Sequence, residues 1–375
     1  MLDSVSQLSE ATSDNHYSSK ILLLENVTVV GYSRLLLKAN KVAYDASHPE
    51  GSLKDIFTSY RLQEENFGLI HLNPHTMQCI FLVGLQTRVR LDGAWLSILN
   101  SSSENWMHWM SESIPRLAGM LTELRNRNCG LLVDQNLEKN MRDVLDIFAR
   151  DIPRLEVAAH HAVKVSKLIV PATPTGMSAF WPRAPHPDEI PIRHDQATTH
   201  SCKNGLFNFD VSGLMHVREV MLRHFNCQPR KVKKLLILRR SYFRHITNQE
   251  RIKMMLLPRG FVPVSPGEMS VEEQVMVFSE ASIVVAQAGA ALANIMFMPE
   301  GSKVICLSVK NPEYVNYDYF RDYAKIFSVS LEYVLGEIDD PSKYNAAHIG
   351  RATHPTNAEF SCPEEELLAM LDQFS

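Results

Sequence analysis

The sequence predicts an α/β protein with two domains, of which the second is Rossmann-like, and three observations lead to that prediction. Segments with strand and helix periodicity alternate from residue 103 onward, which is typical of a parallel sheet covered by helices. A segment rich in proline, histidine, serine and threonine, residues 171–208, interrupts this alternation. The chain has 375 residues, which is enough for two hydrophobic cores of ordinary size.

The first domain, residues 1–195, is expected to begin with a β-rich lead-in at residues 20–100. Its β-branched and alternating apolar residues predict strands at residues 20–31, 35–44, 77–85 and 89–99. In the α/β part, residues 101–170, the apolar period becomes helical. There we expect helices at about 104–125 and 137–149, and strands at 130–133, 155–158 and 164–170. The irregular connection to the second domain starts at residue 171.

The second domain, residues 205–355, alternates buried strands with helices, as a doubly wound sheet does. Its strands are expected at residues 234–239, 261–264, 281–286 and 302–308, and its helices at 210–224, 248–257, 271–279 and 291–298. Residues 356–375 form a closing segment. Its helix, 363–374, has apolar residues spaced for docking onto the body of the protein.

Composition and charge exclude several classes of protein. Lys and Arg number 38 against 42 for Asp and Glu, and a net charge of −4 gives no basic field for a nucleic-acid partner. The chain has no apolar run of about 18 residues and a polar N-terminus, so we expect neither a transmembrane segment nor a secretory signal. The six cysteines form no C-x-x-C pair, which predicts reduced thiols in a cytoplasmic protein and no metal site.

A turn of small residues ends the strand predicted at 281–286 and opens directly into a helix. Small side chains let a ligand approach the backbone, and the N–H groups at a helix start favour a phosphate. The residues expected to contact such a ligand are Gly289, Ala290, Ala291 and Asn294. The alternative is that small residues only relieve crowding in a tight turn between strand and helix.

A basic loop follows the strand predicted at 234–239 and contains Arg239, Arg240 and Arg244. Guanidinium groups suit diphosphate oxygens because their paired N–H groups match the oxygen spacing. The alternative is a solvated loop in which Asn248 caps the next helix. Both interpretations stay open, since the cap and the phosphate contact would use different residues.

A polar stripe is predicted on the helix that starts near residue 104. Offsets of 3, 4, 7 and 11 residues bring its members to one face: Asn105, His108, Trp109, Glu112 and Arg116. A histidine and a carboxylate four residues apart can meet, and such a pair can accept a proton near neutral pH. Pro115 lacks an N–H group, so we expect a kink or an end of the helix there. The alternative is a salt-bridged surface face without a catalytic role.

The order of these motifs resembles glycosyltransferase family 61. The resemblance rests on N-W-x-H-W-x-x-E-x-x-P-R-L from Asn105, R-R-x-x-x-R-x-x-x-N-x-E from Arg239, and A-Q-A-G-A-A-L-A-N from Ala286. It covers residues from about 90 to 374. Within the family the chain is most similar to compact bacterial members associated with capsule or other surface-polysaccharide synthesis.

The resemblance implies a GT-B fold, in which two Rossmann-like domains face a cleft, and an inverting transfer that needs no metal ion. It implies a nucleotide-sugar donor, for which we expect a UDP-sugar, bound by the second domain, and no further cofactor. The acceptor, a glycan or lipid-linked glycan, would then lie in the first domain near Asn105, Trp109 and Arg116. We expect a cytoplasmic location, either free or peripherally attached to the inner face of the membrane.

An inverting transfer needs a base for the acceptor hydroxyl and stabilisation of charge on the leaving diphosphate. His108 is the preferred base, because an imidazole ordinarily titrates near neutral pH, and Glu112 would then orient the ring. The assignment of the base to one of these two residues stays open.

Two other functions stay open. One is a non-catalytic module that binds a sugar nucleotide or a glycan. The other is an NAD-dependent oxidoreductase, which is disfavoured because the chain has no complete G-x-G-x-x-G turn followed by an acidic residue about 20 positions later.

Overall fold

The computed structural model describes the following residues: 6–7, 21–32, 35–38, 41–45, 69–72, 79–81, 87–100, 102–159, 161–171, 209–238, 244–310, 317–345 and 355–374. They form two compact units. The first contains the described residues up to 171 together with 209–217, and the second contains those from 218 onward. The boundary expected between residues 195 and 205 lies outside the described residues.

The first unit is built on a sheet that mixes parallel and antiparallel strands. Its described strands are β1 (Ser6–Gln7), β2 (Ile21–Val30), β3 (Leu35–Lys38), β4 (Lys41–Asp45), β7 (Thr87–Ser97), β8 (Gly130–Asp134), β9 (Arg154–Val157) and β10 (Ala162–Pro171). Their order is β4-β3-β2-β10-β7-β8-β9, and β1 pairs with β2. A separate pair is formed by β5 (Leu69–Leu72) and β6 (Cys79–Phe81).

The lead-in and the α/β part, which are predicted as parts of one domain, share a sheet that is mixed rather than purely parallel. Strand β10 runs parallel to β7 but antiparallel to β2, so the lead-in and the α/β part share one sheet. The physical reason is that the alternating apolar side chains of β2 find a buried face beside β10. Leu24, Val27 and Val29 of β2 enter one core cluster with residues of β8, β9 and β10 and with Leu99, which follows β7. The other members are Leu132, Val157, Val163, Val165 and Leu168.

Strand β7 carries a β-bulge. Val165 of β10 pairs with Leu91 and Lys167 pairs with Ala94, so two residues of β7 lie opposite one residue of β10. One of these two is Gly93, whose φ of +79° is a conformation that side chains disfavour. A bulge increases the local bend of the strand, which lets the two halves of β7 follow different directions.

The helix predicted at about 104–125 is not continuous. The structure divides it into α1 (Trp106–His108), a π-helical turn (Trp109–Ser113), α2 (Ile114–Ala118) and α3 (Leu121–Asn126). The second helix of this unit, α4 (Lys139–Ala149), has the predicted amphipathic pattern, with Met141, Val144, Leu145 and Phe148 buried.

The second unit has a sheet in the order β12-β11-β13-β14-β15-β16. Its strands are β11 (Lys233–Ile237), β12 (Phe261–Pro263), β13 (Ala281–Gln287), β14 (Lys303–Val309), β15 (Ser330–Ile338) and β16 (Phe360–Ser361). All described pairings are parallel except that of β15 with β16. Because the chain leaves β11 on one side to reach β12 and returns on the other to β13, the carboxyl ends of β11 and β13 mark a topological switch point.

Five helices are described from residue 209 onward. They are α5 (Val211–His224), α6 (Gln249–Leu256), α7 (Val271–Ser279), α8 (Tyr317–Ile326) and α9 (Glu364–Gln373). Residues 211–217 of α5 belong to the first unit. Short 3₁₀ turns lie at Leu257–Arg259, Pro266–Glu268, Ala290–Phe297, Pro341–Lys343 and Pro355–Asn357. The segment predicted as a helix at 291–298 is the 3₁₀ helix Ala290–Phe297, and apolar periodicity did not predict α8 or β15.

Helix α9 contributes Leu367 and Leu371 to the core of the second unit. Asn248 directly precedes α6, but its side chain makes no capping hydrogen bond to that helix, unlike in the alternative interpretation of the loop. It donates to the carbonyl of Cys362 at 2.9 Å and accepts from the N–H of Cys362 at 3.0 Å, so it ties the closing segment to the unit. Among the residues described, the helices include none that is both long and apolar enough to span a membrane.

Candidate functional site

The first candidate site starts at the π-helical turn between α1 and α2. Asn105 caps α1, since its Oδ1 accepts a hydrogen bond from the N–H of Met107 at 2.9 Å. The N–H of Ile114 then reaches back five residues to the carbonyl of Trp109, as in a π-helix. Pro115 cannot donate to Ser111, which favours the wider turn at this place. The helix is interrupted by this turn just before Pro115, and α2 then continues through Pro115.

His108 and Glu112 meet across that turn. The Nδ1 atom of His108 lies 2.9 Å from Oε1 of Glu112. The carboxylate is buried, with 1% of the side chain exposed, whereas 16% of the His108 side chain is exposed. A ring nitrogen facing a buried carboxylate is held as its N–H form, so Nε2 becomes the basic nitrogen of the neutral imidazole.

The second oxygen of the Glu112 carboxylate has its own partner. Nδ2 of Asn100, a buried residue just beyond the end of β7, donates to Oε2 of Glu112 at 3.0 Å. The same amide nitrogen lies 3.5 Å from Oγ of Ser113. The amide oxygen of Asn100 accepts from the N–H of Ser102 at 3.0 Å. The carboxylate is therefore held between the imidazole and the amide.

Asp134, the last residue of β8, supports this arrangement from the neighbouring strand. Its Oδ2 accepts from the backbone N–H of Asn100 at 2.9 Å and also contacts the hydroxyl of Ser103. Its Oδ1 accepts from the backbone N–H of Tyr32. Burial raises the pKa of Asp134 to about 6, although its hydrogen bonds to Ser103 and to backbone N–H groups act in the opposite direction.

Sequence reasoning singled out neither Asn100 nor Asp134, although a signal was present. Each follows a strand that was predicted correctly, at 89–99 and at 130–133. Because β7 and β8 are parallel neighbours, their carboxyl ends lie side by side, which is where open α/β sheets place their ligands.

The other residues of the predicted stripe occupy different environments. Asn105 is exposed, whereas Trp109 and Arg116 are buried. Nε of Arg116 donates to the backbone carbonyl of Glu112 at 3.3 Å. The single polar face expected from α-helical spacing is therefore divided, because the π-helical turn changes the rotation per residue.

The second candidate site lies at the switch point between β11 and β13. Arg244 donates from Nη1 to the carbonyl of Ala288 at 3.4 Å, so it lies beside the turn at Gly289. Its Nε donates to Oδ1 of Asn357 at 3.2 Å, and its backbone N–H donates to the carbonyl of the same residue at 3.0 Å. Gln287 donates from its side chain to the carbonyl of Arg244. Gln287 and Asn357 were not predicted as site residues.

The residues of the small-residue turn differ in exposure. Ala290 and Ala291 are half-buried, while Gly289 is buried in extended backbone with φ 168°. Asn294 is buried, and its amide donates to Oε1 of Gln274 at 2.8 Å. Arg239 and Arg240 lie outside the described residues. Among the residues that the structure does describe, no group of three or more His, Cys, Asp or Glu side chains could hold a metal ion.

The sequence model of the family described as Glycosyltransferase 61 matches residues 106–305, which is more than half of the 375 residues. The matched range contains His108 and Glu112 in the first unit and Arg244 and the Gly289 turn in the second. No curated protein matches the chain.

Proposed function

Because the chain belongs to glycosyltransferase family 61 and is a glycosyltransferase, we propose that His108, held by Glu112, is the base that removes the proton from the acceptor hydroxyl. The single observation that carries this proposal is the 2.9 Å contact between a partly exposed imidazole and a buried carboxylate. The carboxylate holds the proton of Nδ1 and leaves Nε2 as the basic atom, as in other histidine bases paired with a carboxylate.

The proposed step is a single displacement. The acceptor oxygen gives its proton to Nε2 of His108 while it forms a bond to the anomeric carbon of the donor sugar. The bond from that carbon to the diphosphate oxygen breaks, and the nucleoside diphosphate leaves with the electron pair. One displacement at the anomeric carbon inverts its configuration, and the imidazolium that forms is stabilised by Glu112.

For the donor, we propose that the diphosphate is held at the switch point of the second unit. Arg244 beside the Gly289 turn supports this assignment, because a guanidinium and a glycine-containing turn at the carboxyl ends of two parallel strands suit phosphate oxygens. Arg239 and Arg240 would contribute from the same loop. Ala290 and Ala291 leave room for the donor to approach the backbone.

The remaining details are proposed from the family resemblance. The donor would be a UDP-sugar, and the acceptor a glycan or lipid-linked glycan of capsule or other surface-polysaccharide synthesis. The two units would have the GT-B arrangement, act without a metal ion, and work in the cytoplasm, free or at the inner face of the membrane. Thermal-shift screening with UDP, GDP, CMP and NAD, and mass spectrometry of the co-purified ligand, test the donor class. Stabilisation by NAD alone would contradict it.

The base is tested by measuring turnover with a sugar donor that carries the nucleotide selected in this screen. His108→Ala is expected to lower turnover by roughly 10²–10⁴-fold, with folding and donor binding retained, and Glu112→Gln should also lower turnover, by no more than His108→Ala does. An inactive Glu112→Gln beside an active His108→Ala would move the role to Glu112. Retained turnover in both variants would remove the proposal, and parallel losses of activity and stability would indicate a structural role.

The donor site is tested by nucleotide affinity in single arginine variants. Loss of a charged hydrogen bond costs about 1.5–3 kcal/mol, so at least one of Arg239→Ala, Arg240→Ala and Arg244→Ala should weaken binding by that amount. Arg251→Ala is the matched control, since this exposed arginine pairs with Glu364 of α9. Unchanged affinity in all three variants would exclude the assignment.

A further inference from the structure

The carboxylate of Glu112 can fix one form of the His108 ring only if its own orientation is fixed. A buried carboxylate can rotate about its last torsion, and a glutamate loses considerable side-chain entropy when one orientation is imposed. Oε1 contacts His108 at 2.9 Å, and the amide of Asn100 donates to Oε2 at 3.0 Å. The two oxygens thus have different partners on opposite sides.

The amide of Asn100 is itself oriented. Its oxygen accepts from the backbone N–H of Ser102, so the amide nitrogen must face Glu112. A flipped amide would place its oxygen against the carboxylate and its nitrogen against a donor, and both contacts would be repulsive. The Asn100 side chain therefore presents a donor, and only a donor, to Glu112.

The backbone of Asn100 is anchored independently of the helix. Its N–H donates to Oδ2 of Asp134 at 2.9 Å, and its carbonyl accepts from the hydroxyl of Ser103 at 2.6 Å. Asp134 belongs to β8, the parallel neighbour of β7. The amide is thus held by the sheet, while His108 and Glu112 are carried by the helical segment.

We propose that Asn100 is a positioning residue that orients the Glu112 carboxylate, and through it the His108 ring, with Asp134 anchoring Asn100 to the sheet. This inference rests on the proposed function, in which His108 is the base. It adds that the form of the imidazole is set by a residue of another element, twelve positions away in the sequence.

The test exchanges hydrogen-bond donor and acceptor groups at Asn100 and Glu112 and follows the position of the proton on the His108 ring. In Glu112→Gln, the Asn100 amide still needs an acceptor, so the introduced carbonyl should face Asn100 and the introduced NH₂ should face His108. An NH₂ group at Nδ1 moves the ring proton to Nε2. In Asn100→Asp/Glu112→Gln, the introduced carboxylate accepts from that NH₂ group, the carbonyl faces His108, and the proton returns to Nδ1.

Nitrogen NMR of the 375-residue chain with ¹⁵N-labelled histidine distinguishes the two forms without any substrate. The chain has 15 histidines, so the signals of His108 are identified by their absence in His108→Ala. We expect the Nδ1–H form in the wild type, the Nε2–H form in Glu112→Gln, and the Nδ1–H form again in the double variant. Ser113→Ala is the matched control, because it removes only the second acceptor near the Asn100 amide nitrogen, the Ser113 hydroxyl. This variant should keep the Nδ1–H form.

An Nδ1–H form that persists in Glu112→Gln, or an Nε2–H form that persists in the double variant, would overturn the inference. If the double variant does not fold, Asn100→Ser/Glu112→Gln replaces it, and loss of the amide donor should give a mixture of both forms; an unmixed Nε2–H form there would also overturn it. Turnover separates the two proposals. An active His108→Ala with the expected NMR pattern removes only the base assignment, whereas an inactive His108→Ala with an unresponsive ring removes only the positioning role.

Discussion

At the scale of single residues, Asp134 is the buried carboxyl that anchors Asn100 in the first candidate site. It is buried, and its two oxygens receive backbone N–H groups from Tyr32 and Asn100. These segments lie 102 and 34 residues from it in sequence, so one carboxyl joins three separate parts of the first unit. The cost of this arrangement is desolvation, which raises the pKa of Asp134 to about 6.

The raised pKa predicts a pH dependence of stability. The ordinary value of 3.8 applies to the unfolded chain, so between pH 3.8 and about 6 the folded state binds more protons than the unfolded state. The contribution of Asp134 to the free energy of unfolding therefore decreases as the pH rises through this window. The gap between 3.8 and about 6 corresponds to about 3 kcal/mol.

Denaturant unfolding of wild type and Asp134→Asn at pH 4 and pH 7 measures this effect, because asparagine does not titrate and the difference isolates Asp134. The advantage of the wild type over the variant should shrink by up to about 3 kcal/mol between the two pH values. If this advantage stays constant or grows with pH, burial is not the largest influence on the pKa of Asp134.

At the scale of elements, strand β16 and the segment before it complete the second site. The backbone of Asn357 accepts from Arg244, and the N–H of Phe360 donates to the carbonyl of His245. Strand β16 pairs antiparallel with β15. Gly336 of β15 lies close against the backbone of Ser361 in β16. The position of Arg244 is therefore coupled to how closely β16 can approach β15.

Gly336→Ala tests this coupling. An added Cβ would lie 2.1 Å from the backbone carbonyl oxygen of Ser361, so β16 has to move away. Overpacking of this kind costs about 1–3 kcal/mol, and we expect that loss in the free energy of unfolding together with weaker nucleotide binding. Gly267→Ala is the matched control, since nothing lies within 4 Å of the added Cβ. Equal stability of the two variants would contradict the close approach.

At the scale of the whole molecule, the two candidate sites belong to different compact units. His108 and Glu112 lie in the first, and Arg244 with the Gly289 turn lies in the second. Each site has its own sheet and its own strand ends. Donor binding and proton removal are therefore expected to be separable by substitution.

Nucleotide-induced stabilisation checks this separation. A nucleoside diphosphate at 100 times its Kd should stabilise wild type and His108→Ala equally, by about 2.7 kcal/mol, because His108 is not expected to contact the nucleotide. Arg244→Ala should lose part of this stabilisation at the same concentration. A thermal-shift titration that finds no stabilisation of a folded His108→Ala variant would contradict the separation of donor binding from proton removal.

The sequence by itself determined the α/β class, the order of most strands and helices, and the four-residue spacing that lets His108 meet Glu112. These features depend on apolar periodicity and on helical spacing, which are local properties of the chain. The motif order also led to the correct family, since the family match covers the same segments. Local spacing offered Asn248 as a cap of α6, whereas its side chain bonds to Cys362.

Tertiary structure alone decided the rest. The partners of Asn100 and of Arg244 lie far away in sequence: Asn100 is 34 residues from Asp134, and Arg244 is 113 residues from Asn357. Such contacts depend on which strands become neighbours and in which direction they run. The lead-in joins the first sheet through another such contact, the pairing of β2 with β10. Strand order is set by the burial of whole faces against one another, so no local pattern around these residues contains it.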